Sequence, residues 1–566
     1  MNTIIKFNKN ILTVVCCVLL MTSCNDYLGF DYPGSTLATD AFNTFENAEQ
    51  AVTAAYVPLQ WEYGFGTFFF EWWFGDVCSD DALKGGESLN AMPDAYDLEN
   101  FRIRTDNDIL RIFYRAQYQG AFRANFALEN TSEMDPALFT AGMQDRLIGE
   151  ALFLRAMYHF RLVRVFGGVP IADRAIYVQS EWKQPRASQA EVYTFIISDL
   201  EQAIKLLPTQ NRYAAKDIGR ASKGAARALL MKVYMNTGQF DGAKALAQDI
   251  FSDPTGYTLH ADYNRNFNFE FDNSGKESLF EIQYLDNGRG DWGDPYTGGL
   301  GATRATWTTV FTRPRWADVQ KNDEGKPTQG PGSGSGWGWS RPTQELYDEF
   351  EEGDMRRDAT IINPSFERVS DDGPTATTMN TYLGNRYHSR KYAEMNPDTT
   401  FYPLDGNPRG TINRKEIRYS DVLLMYAEAC LKASSPDMGQ AKWALEQVRA
   451  RAREFSGGGS VLPSFPNYTI PLRVVGENGN KQLADNAEDL MLAIKHERRV
   501  ELGMEGHRWF DLKRWDMLDK VMNHYRVTAQ PQIGELMNPF VKGRNELFPI
   551  PKQEIDMNPM EQNPGY

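Results

Sequence analysis

ASKGAARALLMKVYMNTGQFDGAKALAQDIF, residues 221–251, carries two apolar faces separated by a glycine turn. Ala226, Leu230, Val233 and Tyr234 recur at three- and four-residue spacing, which places them on one side of a helix. Thr237-Gly238-Gln239 turns the chain, and Phe240, Ala243, Ala247 and Ile250 form a second face before Pro254 stops it. Small residues lie where the two helices meet.

These are the marks of a tetratricopeptide-type helix pair. Downstream, Tyr419, Leu423, Tyr426 and Cys430 make the first face of another pair, and Ala441, Ala444, Leu445 and Val448 the second. Upstream, Phe42, Ala48, Ala51 and Val52 open a helical pattern, and Ile109, Phe113, Ala116, Gly120, Asn125 and Leu128 trace the next. GEALFLRAMYHFRLVRVFGGVPI (149–171) stays apolar at Leu152, Leu154, Ala156 and Phe160 until Gly167-Gly168 and Pro170. Ser188 and Glu191 are spaced as a capping box for a helix running to Pro208. Repeat-level similarity elsewhere is weak. Between about 255 and 410 the helical period fades, and short strand-like pieces such as Ser278-Leu279-Phe280-Glu281-Ile282 alternate with Gly- and Pro-rich loops. The fold expected is mainly α: tetratricopeptide-like helix pairs form a scaffold, packed with a loop-rich portion containing short strands. The chain divides into residues 1–23, an N-terminal helical region at 24–255, the loop-rich portion at 256–410 and a C-terminal helical region at 411–566. Long loops are usually functional, so the ligand site is expected in the third of these.

Residues 1–23 read as an export signal. Lys6 and Lys9 precede the eleven-residue apolar run ILTVVCCVLLM, then small residues lead to Cys24. The run is too short for a bilayer, which needs about 20 apolar residues. Leu20-Met21-Thr22-Ser23-Cys24 resembles the bacterial lipobox, although Leu is commoner where Met21 stands, so Cys24 is the expected lipidation site. Removing residues 1–23 deletes two lysines and shifts the net charge from −15 to −17. That excess of acid argues against nucleic acid and against a polybasic membrane patch. Of five cysteines only Cys78 and Cys430 remain in the body. They could pair, but they make no disulfide framework, and Cys430 on its apolar face reads as a buried thiol.

The feature most like an enzyme is Glu497 with Glu501, one helical turn apart, since a glycosidase needs two carboxylates. Arg498, Arg499 and Arg508 lie close in sequence, favouring ionised carboxylates and a structural role. The six histidines form no metal-binding pair, and no phosphate loop occurs, so no cofactor is expected. The Gly-rich run 330–338 lacks nucleotide spacing and reads as a loop presenting Trp337 and Trp339.

Aromatic residues make the positive case, because a flat ring suits the C–H face of a sugar while amides and carboxylates suit its hydroxyls. One cluster is Trp61, Tyr63, Trp72 and Trp73, with Asp76, Asp80 and Asp81 behind and Tyr96 in a polar loop beyond. The other is Trp292 and Tyr296 in Asp291-Trp292-Gly293-Asp294-Pro295-Tyr296, with Trp337 later. Core packing competes at every tryptophan, most of all at Trp72 and Trp73. Trp292, flanked by Gly and Asp, is the strongest candidate. Trp443, Trp509 and Trp515 lie on helices and read as structural.

Several stretches, in order, resemble the SusD/RagB family of outer-membrane lipoproteins. They are Cys24-Asn25-Asp26-Tyr27-Leu28, GEALFLRAMYHFRLVRVFGGVP, Arg341-Pro342-Thr343-Gln344-Glu345-Leu346 with Asp354-Met355-Arg356-Arg357, Glu416 to Ala429, and IKHERRVELGMEGHRWFDLKRW (494–515). The tail, Leu547-Phe548-Pro549-Ile550-Pro551 and Gln562 to Tyr566, is similar too, whereas the middle loops match poorly. The resemblance implies a lipid-anchored protein at the cell surface that captures oligosaccharides and passes them to a SusC-like TonB-dependent transporter, and it implies no enzyme activity. Peptide capture, as in RagB-like proteins, is the alternative, and a glycoside hydrolase using Glu497 and Glu501 stands behind it.

Overall fold

The computed structural model describes residues 42–273, 276–285, 305–314, 336–363, 381–393 and 410–566. The main helices are α1 Phe45–Tyr56, α2 Asp108–Glu133, α3 Met143–Phe166, α4 Gln189–Leu206 and α5 Lys223–Thr237. They continue with α6 Phe240–Phe251, α7 Tyr419–Lys432, α8 Met438–Phe455, α9 Ala487–Leu502 and α10 Arg508–Arg514. Their starts follow from local chemistry. Thr44, Asn107, Ser222, Asp437 and Asn486 each accept a hydrogen bond from a first-turn N–H. The capping box forms as expected: Ser188 Oγ accepts from Glu191 N, and the Glu191 carboxylate accepts from Ser188 N at 2.7 Å. Gly238 ends α5 at φ +73°, a left-handed conformation that glycine adopts without a Cβ penalty.

Successive helices pack side by side from α2 through α6. Helix α6 then packs on α7, and α7 on both α8 and α9, so the C-terminal pair extends a stack whose preceding helix ends at Phe251, some 170 residues earlier in the chain. This is the mainly α, paired-helix scaffold read from the sequence. Helix α3 runs through its middle and is buried along nearly its whole length. Its charges are therefore paired: Arg155 grips Asp199 with two bonds of 2.8 and 2.6 Å, and Arg161 reaches Glu416 at 2.8 Å. Burial pushes His159 down to about 4, so it sits neutral in the stack.

The described strands are short and pair in twos. Strand β1 (Ala82–Gly85) runs antiparallel to β3 (Trp339–Pro342), and β2 (Ser278–Ile282) to β4 (Arg414–Arg418), the latter with a shifted register. The loop-rich portion is thus stitched to both helical regions. One expectation changes here. Trp339 is presented by a strand, not a loop, and is buried against Trp73 at 5.8 Å. Cys78 and Cys430 are separate buried thiols, both pushed up by burial, and do not pair. Among the described residues no helix is long and apolar enough to cross a membrane.

Candidate functional site

Residues 61–73 lay down an aromatic wall that starts in the core and ends at the surface. Trp73 and Phe311 lie at its inner end; the Trp72 and Trp73 rings are 4.3 Å apart, and Phe70 stacks on Trp72 at 4.6 Å. Phe68 and Phe70 each meet Phe311 edge-on at 4.6 Å. Farther out, Trp307 lies 5.0 Å from Phe68, and Trp337 lies 4.9 Å from Phe311 and 5.9 Å from Trp307. The half-buried rings at the rim are Trp61, Tyr63 and Trp337, and Phe65 projects from the tip of a short hairpin in which Tyr63–Gly64 pairs with Thr67–Phe68. Arg123 covers Trp61 at 5.0 Å, and Arg111 and Arg115 sit over Phe65 at 5.9 and 5.2 Å.

A buried carboxylate fixes this wall. Glu62 accepts from Thr306 Oγ1 (2.8 Å), Trp307 N (2.6 Å), Thr308 Oγ1 (3.0 Å) and Tyr284 Oη (3.1 Å). Burial raises its carboxyl above the ordinary value, and those donors, with Arg414, work against the rise. Trp337 is held from the other side, its N–H bonding to Val310 O at 2.7 Å. The preceding Gly336 comes so close that a Cβ there would lie 2.2 Å from Arg313 O. Beside the wall, amides interlock: Asn273 and Gln283 exchange hydrogen bonds, and Asn413 donates to Gln283 at 2.9 Å. Glu62→Gln should cost about 1–3 kcal/mol, because an amide turns one acceptor into a donor facing donors. A lowered urea midpoint with a red-shifted tryptophan emission would show it; an unchanged midpoint would mean Glu62 does not pin the wall.

The structure sorts the sequence candidates. Trp72, Trp73 and Trp337 come together, but only Trp337 is at the rim. Trp73 has no exposed surface and Trp72 only 7 %, so both are corrected to core: Phe70, Phe311 and each other cover the faces a sugar would need. Tyr96 is also corrected. It lies in a short helix, Pro93–Glu99, half-buried and 5.4 Å from the Arg102 guanidinium, not in a polar loop. Asp76, Asp80 and Asp81 are spent internally, on Gly506 N, on Arg499 and Arg508, and on Arg499. Trp292 and Tyr296 lie outside the described residues, as does Cys24; the chain around the first two leaves at Leu285 and returns at Ala305, beside Glu62's partner Thr306. Sequence reasoning missed Glu62, Phe311 and the amides, since Glu62 finds its partners 222 to 246 residues away. A narrow cavity beneath Trp72, lined by Lys391, Arg414, Glu505 and His507, has about 50 Å³, room for a few waters.

Glu497 and Glu501 are fully buried in a lattice of guanidiniums. Arg356 donates to both, at 2.5 and 3.1 Å; Arg449 adds a bond to Glu497, while Arg418 and Arg451 bond to Glu501 at 3.0 and 2.5 Å. Burial alone would raise the Glu501 carboxyl, but Arg451, Arg418 and Arg356 outweigh it and hold it well below the usual range. A glycosidase acid must keep a proton and reach a substrate. Both carboxylates are fully buried and bonded to guanidiniums, so neither reaches a substrate, and the reading of this pair as a hydrolase's carboxylates is corrected. The arginines differ from those expected too: Arg498 bonds to Asp511 and Asp421, and Arg499 and Arg508 reach back to Asp80. Of the helical tryptophans, Trp509 is buried, whereas Trp443 is 41 % exposed and only edges onto Phe251 and Tyr426.

Scaffold and wall together define a class: helical-repeat proteins that carry a loop-built aromatic surface and use their paired carboxylates for architecture. Residues 276–566 match the family model described as the SusD family, and residues 40–235 match one described as starch-binding associating with outer membrane. The chain belongs to the SusD family. It is 25 % identical to SusD-like protein P2 of Formosa agariphila, over 98 % of this chain and 99 % of that protein. Among solved structures it resembles a laminarin binding SusD-like protein (28 % identity, TM-score 0.71, covering 93 % of this chain and 100 % of the other). It also resembles surface glycan-binding protein A from Bacteroides fluxus (25 %, TM-score 0.72, covering 93 % and 100 %). The two solved structures are named as binding proteins.

Proposed function

We propose that this protein captures oligosaccharides at the cell surface, held to the outer membrane by lipid at Cys24, and delivers them to a SusC-like TonB-dependent transporter. The observation that carries the reading is the aromatic wall, whose rim ring Trp337 lies 5.9 Å from Trp307, two residues past Ala305, where the chain returns from the segment bearing Trp292 and Tyr296. The relative that binds laminarin supports it, as does the family model's mention of starch and the outer membrane. Sugar rings would stack on Trp292, Tyr296 and Trp337, with neighbouring amides and guanidiniums bonding to hydroxyls.

Trp292→Ala should weaken the best-bound oligosaccharide at least about tenfold, ~1.4 kcal/mol, in calorimetry against a panel of soluble glycans. Equal affinity in the variant would remove Trp292 from the site. Cys24→Ala should leave that affinity intact while the protein moves from the membrane pellet to the soluble fraction. Retention in the pellet would mean that something other than the lipid holds it.

A further inference from the structure

A second pocket among the described residues lies against α2, on the face next to the one that meets the wall's Phe65. It has a volume of about 440 Å³, within the range that takes a small ligand. Tyr114 and Tyr118, one helical turn apart on α2 and 4.8 Å between rings, line it with Ile171 and Met560. Trp182 lines it too and is 61 % exposed, a large ring left in water. The turn bearing Trp182 is nonetheless fixed. Trp182 N bonds to Gln179 O, Gln184 Nε2 donates to Glu181 O, and Asn558 Nδ2 donates to Gln184 O at 2.6 Å.

Three polar side chains line the same pocket and make no hydrogen bond among the described residues: Glu554, Gln179 and Lys183. Glu554 is the informative one. Burial raises its carboxyl above the ordinary value, and Arg115 and Arg111 oppose the rise from a distance without pairing with it. A purely apolar occupant would complete the burial of this group and leave it without a partner, whereas a hydroxyl donor would satisfy it. The same two arginines lie over Phe65 of the hairpin, so the pocket and the wall share their neighbours on α2.

We propose that this pocket is a second carbohydrate subsite, taking one or two sugar residues with a ring face on Trp182 and hydroxyls on Glu554, Gln179 and Lys183. It rests on the glycan-capture reading, and the test separates the two. The full chain is labelled with 5-fluorotryptophan, its twelve tryptophans are followed by ¹⁹F NMR, and Trp182→Phe assigns the resonance. The probes are hexaoses of laminarin, starch, xylan, mannan and alginate, and an acetylated Phe-Leu-Leu amide. At least one hexaose should shift the Trp182 signal saturably, Trp337→Ala should leave that response in place, and Glu554→Gln should weaken it at least about fivefold. If other tryptophans respond to a hexaose while Trp182 is silent, or if Trp337→Ala abolishes the Trp182 response, the subsite is refuted and glycan capture stands. If Trp182 alone responds, the subsite stands and the wall loses its role. Response of Trp182 to the peptide but to no hexaose would make the pocket a protein-docking site and refute the proposal. Silence of every tryptophan toward all hexaoses would refute both.

Discussion

Glu501→Gln should lower the stability of the folded chain by about 3–5 kcal/mol, the usual cost of removing one partner from a buried ion pair. The substitution is nearly isosteric, so little of this would be cavity formation. Its force lies in what remains: Arg356, Arg418 and Arg451 all donate to Glu501, and all are buried. Those arginines come from a short helix after β3, from β4 and from α8, so one carboxylate joins three parts of the chain. Urea denaturation would show the loss, and glycan affinity of the folded fraction should be unchanged. A fall in some hydrolytic activity, with stability preserved, would instead revive the catalytic reading of this pair.

The second large effect is a dependence on alkaline pH through His496. Its imidazolium donates from Nδ1 to Glu349 at 2.6 Å and from Nε2 to Glu351 at 3.3 Å, with no exposed surface. Burial opposes the charge, but the hydrogen bonds and charges of Glu349 and Glu351 prevail and push His496 up to about 9. Because the folded value lies above the unfolded one, the stabilisation is fully present below about 6.5 and is lost as pH rises through 9. Its size is on the order of 3 kcal/mol. His496→Gln should therefore be destabilised at pH 6 and close to the parent at pH 10. Parallel stability curves for the two proteins across that range would show that His496 is neutral in the fold.

The scaffold was legible because helices announce themselves locally. Faces such as Ala226, Leu230 and Val233, the Ser188–Glu191 box and the Gly238 turn act within one or two turns of chain, and each formed as read. The 494–515 stretch was legible as a family signature, but its work was not. Arg498, Arg499 and Arg508 seemed natural partners for Glu497 and Glu501, yet the fold brings in Arg356, Arg418, Arg449 and Arg451 from distant elements. The site was the least legible part. Composition marks Trp72, Trp73 and Trp337 alike, and only the packing of Phe311 and Phe70 against the first two shows which ring is left for a ligand. Tyr96 illustrates the same limit, since a polar neighbourhood in sequence turned into one face of a short helix beside Arg102.

Affinity electrophoresis through gels cast with laminarin, starch, xylan, mannan or alginate tests the central claim most directly, with the parent and the Trp292→Ala, Trp337→Ala double variant run side by side. At least one polysaccharide should retard the parent, and the double variant should run with the unretarded control while keeping its thermal midpoint. Retardation of both alike, or of neither in any gel, would contradict an aromatic wall built to capture glycan.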